Sequence, residues 1–248
     1  MKYLILGIIQ GLTEFLPVSS SGHLVIAQKI LGIADNQLLI ILACHFGTLL
    51  AMVLFFFKDI VSLFKKPGLI GHILVVTFIT GIIGFMGKDF FESLFASPRA
   101  VSISLLVTGA VLIFSRNFQR GKRGINSIDI RDSLFLGLMQ AFSIIPGISR
   151  SGMTISSLLF RNIDKESAFK LSFLAGMPAI AGAFLLELKD AGPIAAGQFG
   201  GLIMALSFSF IVGLFALTVL KSVLIRAKFH YFGYYCVALA IILFIFVR

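Results

Sequence analysis

Apolar residues run along this chain in blocks rather than in stripes. Stretches at about 36–57, 68–87, 100–115, 166–187, 199–220 and 231–247 carry few charges or none. About 20 helical residues cross the roughly 30 Å of hydrocarbon in a bilayer, so each block predicts a membrane-spanning helix. Two further apolar stretches, 3–18 and 132–148, fit less well. Each carries a Gln, a Pro and a cluster of hydroxyl residues, and 16 helical residues cover only about 24 Å. They are expected to enter the membrane and turn back as re-entrant helical hairpins. Irregular backbone at that depth is tolerated only against protein or a watery cavity, so such hairpins imply a built site.

The two odd stretches are related. Shifted by 130 residues, "GIIQGLTEFLPVSSSG" (7–22) lies over "GLMQAFSIIPGISRSG" (137–152) without a gap. Five of the 16 positions are identical: Gly7/Gly137, Gln10/Gln140, Ser19/Ser149, Ser21/Ser151 and Gly22/Gly152. The predicted crossings shift by about the same interval. The chain is therefore expected to be one all-α polytopic membrane domain of two halves, 1–115 and 132–248, joined by a linker at 116–131. Each half would hold a re-entrant hairpin and three spans. An odd number of spans turns the second copy upside down, which is the inverted-topology repeat that places binding sites where the halves meet. A cleaved signal peptide is the competing reading of residues 1–20, and the repeat argues against it.

Composition agrees with a lipid solvent: 58% of residues are hydrophobic, 13% are charged, and mean hydropathy is +1.03. The net charge of +10 does not mark a nucleic-acid binder, because Lys and Arg lie in short loops between apolar blocks. Their distribution orients the protein. Lys65, Lys66, Arg116, Arg120, Lys122, Arg123, Arg226 and Lys228 fall on one face, and Lys2, Lys29, Lys88, Arg99, Lys189 and Arg248 on the other. The first face is expected to be cytoplasmic, so the first hairpin opens outward. The linker reads as a solvated loop with a lesser attraction for anionic lipid headgroups. Cys44 and Cys236 lie inside apolar segments and suggest neither a disulfide nor a Cys-based metal site.

Where the hairpins differ, chemistry enters. The first has Glu14, Ser20 and His23; the second has Ile144, Arg150 and Met153 at the equivalent positions. A carboxylate and an imidazole handle protons or hold a metal, whereas a guanidinium suits phosphate or carboxylate. Together they describe one composite site. The hydroxyls of Ser19 and Ser21 in the first tip, and of Ser149, Ser151 and Thr154 in the second, are candidate phosphate ligands. A helix starting after "PGIS" would add its N-terminal amides. Blander readings stand beside these. Ser21, Gly22 and Gly152 suit close helix packing, Glu14 and Arg150 could form a purely structural pair, and His45 reads as a packing histidine facing the cavity. Gln10, one turn before Glu14, shares its helix face; Gln140 reads as a tie to neighbouring helices. Phe55 to Phe57 read as lipid-facing rather than as a surface for a lipid tail.

"QGLTEFLPVSSSGH" (10–23) and "PGISRSGMT" (146–154), at this separation in a chain of this length, closely resemble the undecaprenyl-diphosphate phosphatases, the bacitracin-resistance type of bacterial membrane enzyme. The resemblance covers essentially the whole chain. It implies hydrolysis of undecaprenyl diphosphate to the monophosphate, recycling the lipid carrier for peptidoglycan and other envelope polymers. It also implies a divalent cation, Mg²⁺ or Ca²⁺, six spanning helices with two re-entrant pairs, and residence in the bacterial plasma membrane. The family's acidic motif falls on Gln10 and Glu14, with a neutral amide at the first place, so Glu14 is expected to be the main cation anchor and Gln10 a weaker one. His23 matches the family's essential histidine, Ser20 its loop serine, and Arg150 its phosphate-binding arginine.

On this reading Ser20 attacks the terminal phosphorus or positions the water that does, His23 is the general base, and Glu14 holds the metal or orients His23. A transporter or flippase for a lipid phosphate or organic anion is the alternative. The Ser, His and Arg constellation favours an enzyme, since a transporter needs no nucleophile beside a base. Partners are the polyprenyl substrate and membrane lipids, without nucleic acid. A homodimer is allowed by the reading and required by nothing in it.

Overall fold

The structure is a computed structural model that describes residues 1–32, 37–95, 97–194 and 197–246. Arg248, and positions 36 and 247 at the edges of two expected crossings, lie outside the described residues, as does the Lys29 side chain. Among the described residues the regular structure is helical: α1 (Lys2–Phe15), α2 (Ser20–Leu31), α3 (Gln37–Phe55), α4 (Phe57–Leu63), α5 (Pro67–Met86), α6 (Lys88–Phe95), α7 (Pro98–Ser115), α8 (Ile130–Phe142), α9 (Arg150–Phe160), α10 (Lys165–Leu188), α11 (Phe199–Ile225) and α12 (Tyr231–Phe246). Among the described residues, five stretches are long and apolar enough to cross a membrane, at Leu38–Phe55, Pro67–Met86, Arg99–Phe118, Lys165–Leu188 and Phe199–Ile225. The block expected at 231–247 forms the shorter apolar helix α12, of 16 residues.

Both stretches expected to turn back do break in the middle. After α1, Leu16 is extended ahead of Pro17, as a residue before proline prefers. The chain then reverses into α2. After α8 it passes Pro146 and Gly147, the latter at φ 91°. A side chain on Gly147 would strain that conformation and would also strike the Val101 carbonyl and Ser104 of α7. The two turns meet: the face of Gly22 lies against Gly147, and that of Gly152 against Pro17.

Helix contacts come in exchanged pairs under the 130-residue shift. α1 packs along α11 as α8 packs along α5, α11 packs along α3 as α5 packs along α10, and α7 pairs with α12. Lipid gives little drive for apolar side chains to associate, so small residues that let backbones close up carry such contacts. Gly7 lies against the Ala205 backbone of α11, Gly47 against Leu206 and Ser209, and Gly109 of α7 against Gly233 of α12. The main core holds an aromatic group of Phe15, Phe56, Phe169 and Phe173. Phe56 is 1% exposed, which corrects its reading as lipid-facing. Of the three neighbours only Phe57 is largely exposed, while Phe55 packs against the core. Successive residues at the α3–α4 junction point in different directions.

The basic loops assigned to one face do gather there. Lys66 bonds Asn126, Lys170 pairs with Asp59, and Lys165 donates to the Ile225 carbonyl. The linker is packed rather than merely solvated, which corrects the sequence reading. It forms short 3₁₀ turns at Arg116–Phe118 and Ile125–Ser127 and a bridge between Arg123 and Ile163. What holds it is Asp132, whose side chain is fully buried and takes Arg123 at 2.6 Å and Arg161 at 2.8 Å. Asp132 also closes a capping box with Asp129 at the start of α8.

Burial pushes the Asp132 carboxyl up, but the Arg123 hydrogen bond, the Asp129 amide and Arg161 together outweigh it and hold it below the usual value of 3.8. A carboxyl depressed on folding contributes stability that is complete above its unfolded pKa and is lost as pH falls through the folded one. Detergent melting curves are therefore expected to show a stability loss below pH ~4 in the native chain that is much smaller in Asp132→Asn. An identical acid response in both proteins would rule out this carboxylate as the linker's anchor.

Candidate active site

The two hairpin tips bring a carboxylate, a hydroxyl and a guanidinium together. Ser20 is the first residue of α2 and Arg150 the first of α9, the same position in the two copies of the repeat. Both reach Glu14, in the last turn of α1. Arg150 Nη2 donates to Glu14 Oε1 at 2.9 Å, and Ser20 Oγ donates to Glu14 Oε2 at 2.7 Å. Gln10 Nε2 donates to the same Oε2 at 3.1 Å. The Glu14 and Arg150 side chains are 8% and 14% exposed. Each charge is therefore neutralised by the other in a poorly solvated place.

Gln10 also fixes its neighbour. Its NH₂ donates to His45 Nδ1 at 3.3 Å, and an amide nitrogen cannot accept, so the His45 proton sits on Nε2. His45, Glu14, Ile180, Ala183, Phe184 and Glu187 line a cavity of about 100 Å³ between α1, α3 and α10. His45 thus faces a cavity as expected, but it is tied into the Glu14 network and is not only a packing residue.

Arg150 is half used. Its guanidinium lies 5.8 Å from the centre of the Phe173 ring, and Nη1 is buried without a hydrogen-bond partner. Nη1 rests against Gly176 of α10, where any Cβ would collide with it. Gln10 Oε1 is also buried and unpartnered. The site therefore offers one free donor edge beside a helix N-terminus, suited to an anion, and one free acceptor, suited to a cation.

His23 is placed differently from expectation. It lies one turn beyond Ser20, yet its bonds run to the Ser19 carbonyl at 2.8 Å and the Tyr235 hydroxyl at 2.7 Å. Glu14 pairs with Arg150 instead of orienting His23. Ser19 has φ 69°, a left-handed conformation that costs a serine about 1 kcal/mol.

The remaining candidate hydroxyls have structural partners. Ser19 Oγ meets Ser21 Oγ at 3.2 Å and accepts from the Gly22 amide, as Ser149 Oγ meets Ser151 Oγ at 3.4 Å and accepts from the Gly152 amide. Both serines cap the second arm of their hairpin. Thr154 is fully buried and bonds the Arg150 carbonyl and Ser172 of α10, both within 2.7 Å. In this conformation the cradle read from Ser149, Ser151 and Thr154 is closed upon itself. Gln140 does tie helices together, donating to Thr80 and to the Ala175 carbonyl.

Sequence reasoning missed Tyr235, Thr108, Phe173 and Gly176. Thr108 braces the second turn by accepting from the Ser149 amide and donating to the Gly147 carbonyl. None of these lies in a motif. "YFGYY" (231–235) reads as an interfacial aromatic cluster, and only the packing of α12 shows which of its tyrosines meets His23.

Comparison with known proteins agrees across the chain. A profile of the family described as bacitracin resistance protein BacA matches residues 3–242. The undecaprenyl-diphosphatase of Alkaliphilus metalliredigens (strain QYMF) is 40% identical over 259 residues, covering 94% of each chain. That of Halothermothrix orenii (strain H 168 / OCM 544 / DSM 9562) is 42% identical, covering 95% of this chain and 93% of its own. That of Thermotoga petrophila (strain ATCC BAA-488 / DSM 13995 / JCM 10881 / RKU-1) is 40% identical, covering 96% and 97%.

Removing one member of the buried pair strands the other. Glu14→Ala and Arg150→Ala are each expected to destabilise by about 3–5 kcal/mol, and the double variant by less than their sum. Melting curves of the three variants check this, and strictly additive losses would refute the pairing.

Proposed function

The chain belongs to the bacitracin resistance protein BacA family, and from that membership we propose how it hydrolyses undecaprenyl diphosphate to undecaprenyl phosphate and inorganic phosphate. The observation that carries the proposal is the convergence of Ser20 and Arg150 on Glu14. Phosphoryl transfer demands positioning and charge stabilisation more than covalent help, and these groups supply both.

The terminal phosphoryl group takes the place of Glu14 on Arg150, with the unpartnered Nη1 edge as its second donor and the N-terminus of α9 beneath it. Ser20 Oγ then attacks the terminal phosphorus while its proton passes to Glu14 Oε2. The bridging P–O bond breaks and undecaprenyl phosphate departs. In the second half a water attacks the phosphoseryl phosphorus and gives its proton to His23 Nε2, the Ser20 Oγ–P bond breaks as Oγ recovers its proton from Glu14, phosphate leaves, and His23 releases its proton to solvent. The roles differ from the sequence reading: Glu14, which accepts the Ser20 hydrogen bond, is the base in the first step, and His23 acts on water in the second.

A divalent cation, Mg²⁺ or Ca²⁺, belongs to the proposal. Among the described residues no three His, Cys, Asp or Glu side chains cluster, so no closed protein cage is available. Glu14 and the unpartnered Gln10 Oε1 would hold the cation in an open site that leaves room for substrate and water. When bound, the cation would neutralise phosphoryl charge. The phosphate-binding set on this reading is Arg150, Ser20 and the α9 amides, with the capping serines holding the tips in shape.

The membrane arrangement is proposed likewise: α12 is a sixth crossing, the hairpins α1–α2 and α8–α9 are re-entrant, and the halves are inverted copies in the bacterial plasma membrane. The exchanged helix contacts and the meeting of the two turns support it. The face where the basic loops gather is cytoplasmic and the site opens outward. A reporter fused after Arg120 is expected to read as cytoplasmic, and an external readout overturns that orientation.

Phosphate release from undecaprenyl diphosphate by the purified protein tests the activity. Native protein is expected to release phosphate, to lose that ability to a chelator and to regain it with Mg²⁺ or Ca²⁺. Arg150→Ala and Ser20→Ala should fall at least about 10²-fold. If native protein releases none under any cation while binding or transport persists, the transporter reading takes over.

A further inference from the structure

Tyr235 is the partner of His23 that no motif announces. It comes from α12, the last helix, 212 residues away. Three features define the contact. His23 Nδ1 lies 2.8 Å from the Ser19 carbonyl, which can only accept, so Nδ1 carries the hydrogen and the lone pair of the neutral ring is on Nε2. The Tyr235 hydroxyl lies 2.7 Å from that Nε2 and donates to it. The two rings are stacked, with centroids 5.8 Å apart and planes 9° from parallel. The imidazole is therefore gripped at both nitrogens and along one edge, with its basic atom directed to α12.

We propose that Tyr235 is a positioning residue for the hydrolytic half of the reaction: with the tautomer set by the Ser19 carbonyl, it holds His23 Nε2 in place and yields that atom to the attacking water. The inference rests on the role given to His23 above and adds the residue that makes the role achievable. A free imidazole on a partly exposed helix face would rotate about its χ angles, and an ill-oriented base is a poor one. The Ser19 carbonyl alone leaves the ring free to swing about a single bond; the second bond from another helix removes that freedom. The same arrangement makes the position of α12 part of the site, since displacement of that helix would release the ring.

Among the described residues, other titratable side chains reach this part of the molecule through Glu14, including His45 of α3 by way of Gln10. Glu14 of α1 bonds Ser20, one turn before His23, and Arg150 of α9 pairs with Glu14. The Tyr235 hydroxyl is the group that touches the ring itself. Because its hydrogen bond goes to the neutral imidazole, it favours the uncharged form, and its removal makes the ring easier to protonate.

The test is steady-state hydrolysis of undecaprenyl diphosphate across pH by native protein, Tyr235→Phe, Tyr235→Ala and His23→Ala. Tyr235→Phe keeps the ring stack and loses the hydroxyl. It is expected to lower kcat about tenfold, leave KM within about twofold, keep the native melting temperature, and move the acid limb of the profile to higher pH. Tyr235→Ala should lose more activity than Tyr235→Phe. An unchanged kcat and acid limb in Tyr235→Phe, with His23→Ala inactive, overturns the role of Tyr235 and leaves that of His23 standing. Activity retained in His23→Ala overturns the reading on which the inference rests.

Discussion

A carboxylate and a guanidinium facing one another away from water constrain everything around them. Neither Glu14 nor Arg150 is stable alone in so poorly solvated a place, because the cost of stranding either charge exceeds what nearby packing supplies. The first hairpin must therefore meet the second. The glycines where the two turns touch, the brace from Thr108 and the absence of a side chain at Gly176 are the steric conditions of that meeting. The pair is also incomplete: Glu14 takes further bonds from Ser20 and Gln10, while one edge of Arg150 has no partner. An unsatisfied buried donor costs about 1–3 kcal/mol, which a phosphoryl oxygen would recover in the proposed reaction.

The repeat divides its positions by task. Ser19/Ser149, Ser21/Ser151 and Gly22/Gly152 are identical because each trio builds the same object, a serine cap at the start of a helix with a second hydroxyl against it. Ser20 and Arg150 occupy the same place in their copies and carry different chemistry. A duplicated turn supplies two helix starts that meet at Glu14, and the first helical residue brings a hydroxyl in one copy and a guanidinium in the other. The first copy departs once more: Ser19 is held in a left-handed conformation, and its carbonyl bonds the His23 ring.

Phosphoryl transfer from a lipid diphosphate is well matched to this economy of parts. The reaction asks for a positioned nucleophile, a base, and positive charge around the equatorial oxygens. A hydroxyl bonded to a carboxylate, an imidazole held at both nitrogens and an arginine at a helix N-terminus answer those needs.

How much of this was legible in the sequence depended on the range of the interaction. Apolar blocks long enough to span hydrocarbon, proline and hydroxyl clusters that break two of them, and a 130-residue repeat are local or periodic signals. They determined an all-helical membrane protein with two broken hairpins, and they picked out Glu14, Ser20, His23 and Arg150. The length of the last helix, the packed linker around Asp132 and the inward turn of Phe56 depended on neighbours distant in the chain. The same holds for the site. The sequence named a serine, a histidine and a carboxylate, but which group bonds which is a matter of ångströms between helices: Glu14 went to Ser20 and Arg150, His23 to Ser19 and Tyr235. Residue type is written in the chain, whereas hydrogen-bond partners are settled by the packing of α1, α2, α9 and α12, because a bond made at 2.7 Å is lost with a shift smaller than a side chain.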